Sequence, residues 1–325
     1  MTSLLHRPRR LRNHPLLREA IAETVVFKKN LMLPLFVADI RDDREIQGMP
    51  GVYQRSVDSL TRHVERCVEL GITSFILFGV PSHKDAKASS ALEEDTVIVR
   101  ALRSLKKHLG SSAFVATDVC LCSYTDHGHC GILVNQQIAN DPSIELLRAM
   151  AVLHAQAGAD MVAPSDMMDG RVGAIRHGLD KAGLVHTPIM SYAVKYASSL
   201  YGPFRHAADS APKFGDRRGY QMDFRNTNDA VREAQLDIQE GADILMVKPG
   251  LAYLDIVAAL RTQTQLPLAC YQVSGEYSMI RYAAQANAID EAAVVRELWV
   301  AMRRAGANII LTYHAAIAAE NRWIE

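Results

Sequence analysis

The chain has 325 residues, 49% of them hydrophobic, and carries 36 basic against 36 acidic side chains. That length suits one large single-core domain, and a formal charge of zero supplies no field that would favour nucleic acid or an anionic membrane, so a small molecule is the expected partner. No apolar run approaches the roughly 18 residues of a membrane span, and the basic start at Arg7, Arg9, Arg10 and Arg12 lacks a signal peptide's apolar segment, so the chain reads as cytoplasmic.

Residues 1–30 read as a polar, basic arm with a short helix from Pro15, either solvated or clasping another subunit. From Leu31 the texture changes, and residues 31–325 read as one catalytic domain. Eight β-like runs follow: Leu31 to Val37, Ser74 to Val80, Ala113 to Val119, Met161 to Ser165, Pro188 to Val194, Ile244 to Lys248, Pro267 to Val273 and Asn308 to Tyr313. Each is apolar on both faces, as parallel strands covered on both sides must be.

Helical spacing fills the gaps, as in Val57, Leu60, Val64, Cys67 and Val68 before Gly71. A weak repeat recurs at Glu69-Leu-Gly-Ile-Thr, Gln156-Ala-Gly-Ala-Asp, Gln239-Glu-Gly-Ala-Asp and Arg304-Ala-Gly-Ala-Asn. It puts Gly71, Gly158, Gly241 and Gly306 where a helix needs a left-handed cap before the next strand. Eight strands alternating with helices predict an α/β fold of the (β/α)8 TIM-barrel type, with a doubly wound open sheet as the alternative.

In such a barrel the active site lies at the C-terminal ends of the strands. Asp118 and Cys120, Ser165 and Asp166, Lys195, Lys248, Ser274 and Glu276, and Tyr313 and His314 all stand there. Lys248 closes an apolar run and precedes Pro249-Gly250; burial there lowers an ammonium's pKa and frees the nucleophilic amine of a Schiff-base lysine. A lysine snorkelling past the strand end is the plainer reading. Lys195 at the same mouth would oppose protonation of both amines; its plainer role is to start the next helix.

Five cysteines are too few and too clustered for a disulfide framework. In Asp118-Val-Cys120-Leu-Cys122-Ser-Tyr-Thr-Asp126-His127-Gly-His129-Cys130-Gly, Cys120 and Cys122 can bind one ion only if the strand has already given way to a loop, with Gly128 and Gly131 turning Cys130 back. Three thiolates with an open fourth position suit zinc, which His127 or His129 could also complete; Cys67 and Cys270 read as core residues. Residues 201–226, rich in Gly, Pro and Arg, are too long for an ordinary loop and predict an active-site lid whose arginines suit a carboxylate.

Five stretches then carry a family likeness: Met49-Pro-Gly-Val-Tyr, Ala163-Pro-Ser-Asp-Met-Met-Asp-Gly-Arg-Val, Ser191-Tyr-Ala-Val-Lys-Tyr-Ala-Ser, Met246-Val-Lys-Pro and Tyr271-Gln-Val-Ser-Gly-Glu-Tyr. From about Leu31 to Tyr313 the chain resembles the porphobilinogen synthase family, also called 5-aminolevulinate dehydratase. The resemblance implies a TIM barrel that condenses two 5-aminolevulinate molecules into porphobilinogen, with loss of two waters, for tetrapyrrole synthesis.

It implies that Lys248 holds the first substrate as a Schiff base, with Ser274 and Tyr313 on its carboxylate and Asp118 and Ser165 near its amino group. Lys195 would engage the second substrate or tune Lys248, and Arg205, Arg217 and Gln221 would bind the second carboxylate. Cys120, Cys122 and Cys130 match the zinc ligands of the metal-dependent type, and three thiolates make that ion a weak Lewis acid. Glu233 matches an allosteric magnesium position at a subunit interface, and the arm implies a homo-octamer. Phe224 stands where the family has proline, and Ala88 where it has glycine. A class I Schiff-base aldolase is the alternative activity; it needs one lysine and has no use for three cysteines. A zinc-stabilised scaffold without activity is the non-enzymatic one.

Overall fold

The computed structural model describes residues 4–324. Each expected apolar run forms a strand: β1 Leu31–Ala38, β2 Ser74–Val80, β3 Phe114–Val119, β4 Met161–Pro164, β5 Met190–Lys195, β6 Ile244–Lys248, β7 Leu268–Gln272 and β8 Ile309–Thr312. All are parallel, in the order β4-β3-β2-β1-β8-β7-β6-β5. A parallel bridge between Val162 and Ile189, with the Val162 N–H donating to the Pro188 carbonyl at 3.1 Å, joins the two ends. The sheet is therefore a barrel and not the open doubly wound alternative.

Helices α1 Val57–Glu69, α2 Val97–Leu109, α3 Asn140–Gln156, α4 Arg171–Lys181, α5 Asn228–Gln239, α6 Leu254–Gln263, α7 Ser274–Gln285, α8 Glu291–Ala305 and α9 Ala315–Glu320 lie between and after the strands. Ser56, Thr96 and Asp290 cap α1, α2 and α8 by accepting from backbone N–H groups of the first turn, which leaves fewer orphan donors. Gly71, Gly158, Gly241 and Gly306 follow α1, α3, α5 and α8 with φ of 87°, 110°, 98° and 123°, the positive values the repeat predicts. Ala88 has φ 53°, a left-handed conformation that glycine adopts without strain; this is why the substitution noted in the sequence is a departure. Before the barrel, Pro15–Ala20 is a short helix that leaves Leu16 and Ile21 exposed.

Side chains alternate between the barrel interior and the helix layer. Met32, Phe36, Ile76, Phe78, Ala116, Met161, Ala163, Met190, Tyr192, Met246, Tyr271 and Leu311 pack in one inner cluster, while their strand neighbours pack outward against the helices. Strict alternation from Met190 and Tyr192 would turn Lys195 outward. It does not, because β5 holds one extra residue: Leu245 pairs with Ser191, but Val247 pairs with Val194. This bulge restores Lys195 to register with Lys248 and aims both side chains inward.

Beside the bulge lies a buried ion-pair network. The Arg171 guanidinium on α4 donates to Asp237 on α5 at 3.2 Å, to the Ser191 hydroxyl at 3.2 Å and to the Tyr192 carbonyl at 3.3 Å, and lies 3.8 Å from Asp166. All four side chains of the network are buried, so loss of the guanidinium leaves two carboxylates without a counter-charge. Arg171→Leu is expected to cost about 3–5 kcal/mol of folding stability in urea unfolding, and a loss under 1 kcal/mol would contradict this account.

Candidate active site

Lys195 and Lys248 end adjacent strands as register partners, and both are buried. The Lys248 ammonium faces four aromatic rings, with centroids at 5.1 Å for Tyr192, 5.2 Å for Tyr201, 4.8 Å for Phe204 and 4.5 Å for Tyr271. Such rings favour a cation by roughly 2 kcal/mol when desolvated, yet burial costs more, so the balance falls on the neutral amine. Burial first, and the Lys195 charge second, lower the Lys248 pKa to about 7. Lys195 donates to the Ser165 carbonyl and faces Tyr192 at 5.6 Å.

The remaining predicted residues assemble around this pair unevenly. Asp118 comes from β3; burial and the nearby Cys122 raise its carboxyl pKa to about 7, against the opposing charges of both lysines and a hydrogen bond from Ser165. Its Oδ1 is buried without a partner. Tyr313 shares a 3.0 Å hydroxyl hydrogen bond with Tyr271, one of the rings around Lys248. The Ser274 hydroxyl accepts from the Phe204 N–H at 3.0 Å and donates to the Leu200 carbonyl at 3.3 Å, tying the start of α7 to the 201–226 segment.

Strand β3 ends at Val119, and a single turn follows over Leu121–Ser123, so the strand gives way where the cysteine spacing requires. The Sγ atoms of Cys120, Cys122 and Cys130 then lie within 4.8 Å of one another, all buried. Gly128 supplies the turn with φ 75°; Gly131 instead gives room, since a Cβ there would meet the Ser143 hydroxyl at 2.7 Å. Neither His127 nor His129 joins the cluster: His129 is engaged by Tyr220 and Phe214, and His127 accepts from the His129 N–H at 3.1 Å. Hydrogen bonds from its two neighbours pull the Cys122 thiol well below its usual range, while the same closeness pushes Cys120 up. Three buried thiolates coexist only beside a cation, and three soft donors with an open position fit one.

From the 201–226 segment, Arg205, Arg217 and Gln221 line a cleft of about 270 Å³ with Ser198, Phe224 and Tyr253. Gln221 keeps both side-chain polar atoms buried and unpartnered, as are the Nε atoms of Arg205 and Arg217. Burial, and then the Arg217 charge, lower the Arg205 pKa. Two neighbouring guanidiniums with spare buried donors call for an anion. Glu233 does not line that cleft: it lies on α5, half-buried, in an adjoining cleft of about 460 Å³ with Asp169 and Asp229 that shares Arg218 and Gln221 with the first, and its pKa is raised by burial.

Sequence reasoning missed the aromatic enclosure. Tyr192 and Tyr271 are ordinary strand residues by pattern, and Tyr201 and Phe204 arrive from a segment whose path no local rule gives. The one signal was parity, which puts Tyr271 on the inner face of β7 alongside Ala269.

The fold and the mouth define a TIM-barrel enzyme with two buried, register-paired lysines at the C-terminal ends of its strands. A family model for delta-aminolevulinic acid dehydratase matches residues 5–321. The chain is 49% identical over 324 residues to the delta-aminolevulinic acid dehydratase of Synechococcus elongatus, covering 98% of each, and 50% identical over 319 residues to that of Halalkalibacterium halodurans, covering 98% of this chain and 96% of the relative. The crystal structure of the Toxoplasma gondii delta-aminolevulinic acid dehydratase (porphobilinogen synthase), in complex with the reaction product porphobilinogen, superposes with a TM-score of 0.95 at 42% identity, covering 98% of this chain and 91% of that one. The chain belongs to the delta-aminolevulinic acid dehydratase family of lyases.

Because Lys248 gives up its proton near pH 7, the free amine is scarce below that pH and plentiful above it. Borohydride trapping of a keto acid on Lys248 should therefore rise through a midpoint near pH 7. Lys195→Met removes the second lowering influence, so the midpoint should move to higher pH; an unchanged midpoint would show that Lys195 does not act on Lys248.

Proposed function

We propose that this chain condenses two molecules of 5-aminolevulinate to porphobilinogen with loss of two waters, and that the chemistry begins on Lys248. The observation that carries the reading is the register pairing of two buried lysines beside a three-thiol cluster, on a barrel whose family is established.

The Lys248 amine attacks the ketone carbon of the first substrate, and loss of the carbonyl oxygen as water leaves the imine. Ser274 and Tyr313 hold that substrate's carboxylate, and Asp118 and Ser165 lie toward its amino group. Asp118, with a pKa near 7, can give or take a proton at the operating pH. Arg205, Arg217 and Gln221 bind the second substrate's carboxylate through the donors left free in the buried cleft. Residues 201–226 close over both as a lid, since Tyr201 and Phe204 already enclose the Lys248 head. Lys195 keeps Lys248 neutral and lies where the second substrate must approach.

Cys120, Cys122 and Cys130 would hold zinc, which beside three thiolates would supply only weak Lewis acidity, suited to the second substrate's amino group or a hydroxide. Glu233, with Asp169 and Asp229 in its cleft, would hold an allosteric magnesium. The apolar side chains exposed on residues 4–30, Leu5, Leu16 and Ile21 among them, suit an arm that contacts other subunits of a homo-octamer. No helix among the described residues is long and apolar enough to cross a membrane. An aldolase reading leaves the three-thiol cluster without a purpose.

Borohydride with 5-aminolevulinate should leave one reduced adduct, found on Lys248 by peptide mass spectrometry; an adduct elsewhere moves the nucleophile. Lys248→Met should abolish turnover with unchanged circular dichroism. Chelation should remove activity and zinc should restore it without unfolding, whereas a structural ion would take the fold with it.

A further inference from the structure

The loop that carries Cys130 is bound to the 201–226 segment more closely than either function requires. Gly128 lies against the segment's backbone: a Cβ there would meet the Ala211 carbonyl oxygen at 2.4 Å. The Lys213 N–H donates to the His127 carbonyl at 3.1 Å, and Arg217 Nη2 donates to the Gly128 carbonyl at 2.9 Å. His129 is placed between the two chains, with Nε2 3.1 Å from the Phe214 carbonyl and Nδ1 3.1 Å from the Tyr220 hydroxyl. The Cys130 N–H donates to that same hydroxyl at 3.4 Å.

These contacts orient one another. A carbonyl only accepts, so His129 Nε2 carries the proton; in the neutral ring Nδ1 then accepts, and the Tyr220 hydroxyl donates to it while receiving the Cys130 N–H. The result is a directed chain from the cysteine loop to Tyr220, to His129 and back to Phe214. Tyr220 lies three positions after Arg217, and Gln221 follows it directly. Whatever holds Tyr220 therefore also sets the two side chains assigned to the second carboxylate.

We propose that Tyr220 and His129 are positioning residues forming a latch between the cysteine loop and the lid, so that an ordered cysteine loop keeps Arg217 and Gln221 in place. They act through the backbone that carries Cys130 and through the lid. The coupling to metal rests on the zinc reading above, but the latch itself rests on the contacts alone.

Trypsin reads the latch directly, because Lys213 and Arg218 are exposed within the segment. In the full-length protein with zinc alone added, Tyr220→Phe removes one hydroxyl and should speed cleavage after these residues about five-fold, the factor that one neutral hydrogen bond is worth. It should also raise the KM for 5-aminolevulinate by a similar factor, with a smaller change in kcat and undiminished borohydride trapping on Lys248. Gly128→Ala, which pushes on the lid from the other side, should give the same pattern. Unchanged cleavage and KM in a folded Tyr220→Phe protein would overturn the latch. Chelating the parent protein should speed lid cleavage as Tyr220→Phe does; equal cleavage with and without bound zinc would overturn the metal coupling. If metal analysis finds no zinc on the parent, the zinc reading fails, while the Tyr220→Phe comparison still decides the latch.

Discussion

Everything at the mouth of this barrel depends on two lysine side chains being held, buried, on adjacent strand ends. One buried ammonium is already costly, and two at neighbouring positions cannot both stay charged. The protein resolves the conflict by neutralising Lys248, whose amine is enclosed by Tyr192, Tyr201, Phe204 and Tyr271 and kept from water. The enclosure desolvates the amine, and that burial, more than the attraction of the rings for a cation, sets its protonation.

That placement is made by the backbone. The bulge in β5 turns Lys195 into the barrel, and the Tyr192 carbonyl beside it accepts from Arg171. Arg171 is in turn held by Asp237 on the neighbouring helix. A buried ion pair is often no more stabilising than apolar packing of the same volume. Here it has a local task, since it satisfies a carbonyl next to an irregular part of the ladder. The strand irregularity, the buried ion pair and the lysine register are one arrangement.

The 201–226 segment and the cysteine loop form a second arrangement, joined through His129, Tyr220 and Arg217. Buried donors left open on Arg205, Arg217 and Gln221 are unfavourable in the free protein, a cost of about 1–3 kcal/mol for each polar group left unpaired. A carboxylate satisfies them, so the site is prepared for an anion before one arrives. The like charge of Arg205 and Arg217 works in the same direction. Glu233 lies in an adjoining acidic cleft whose wall includes Tyr220 and Gln221.

Much of this was legible in the order of residues. Apolar runs of strand length, each followed by a helical stripe, specify eight parallel strands, because such strands must be covered on both faces and so lose the alternation of a half-exposed sheet; only the bridge between Val162 and Ile189 closes them into a barrel. The glycine repeat marks helix ends, and the barrel rule converts strand ends into a list of site residues that includes both lysines and the cysteine cluster. What sequence could not decide depends on geometry between distant segments. Strand parity alone points Lys195 outward, and only the pairing of β5 with β6 shows the extra residue that reverses it. His127 and His129 have metal-ligand chemistry as plausible as the cysteines, but the 201–226 segment, some ninety positions away in sequence, takes His129 for a hydrogen bond with Tyr220. Local chemistry determined which groups could react; the tertiary structure decided which of them face one another, because register, bulges and loop contacts arise between segments that no local rule connects.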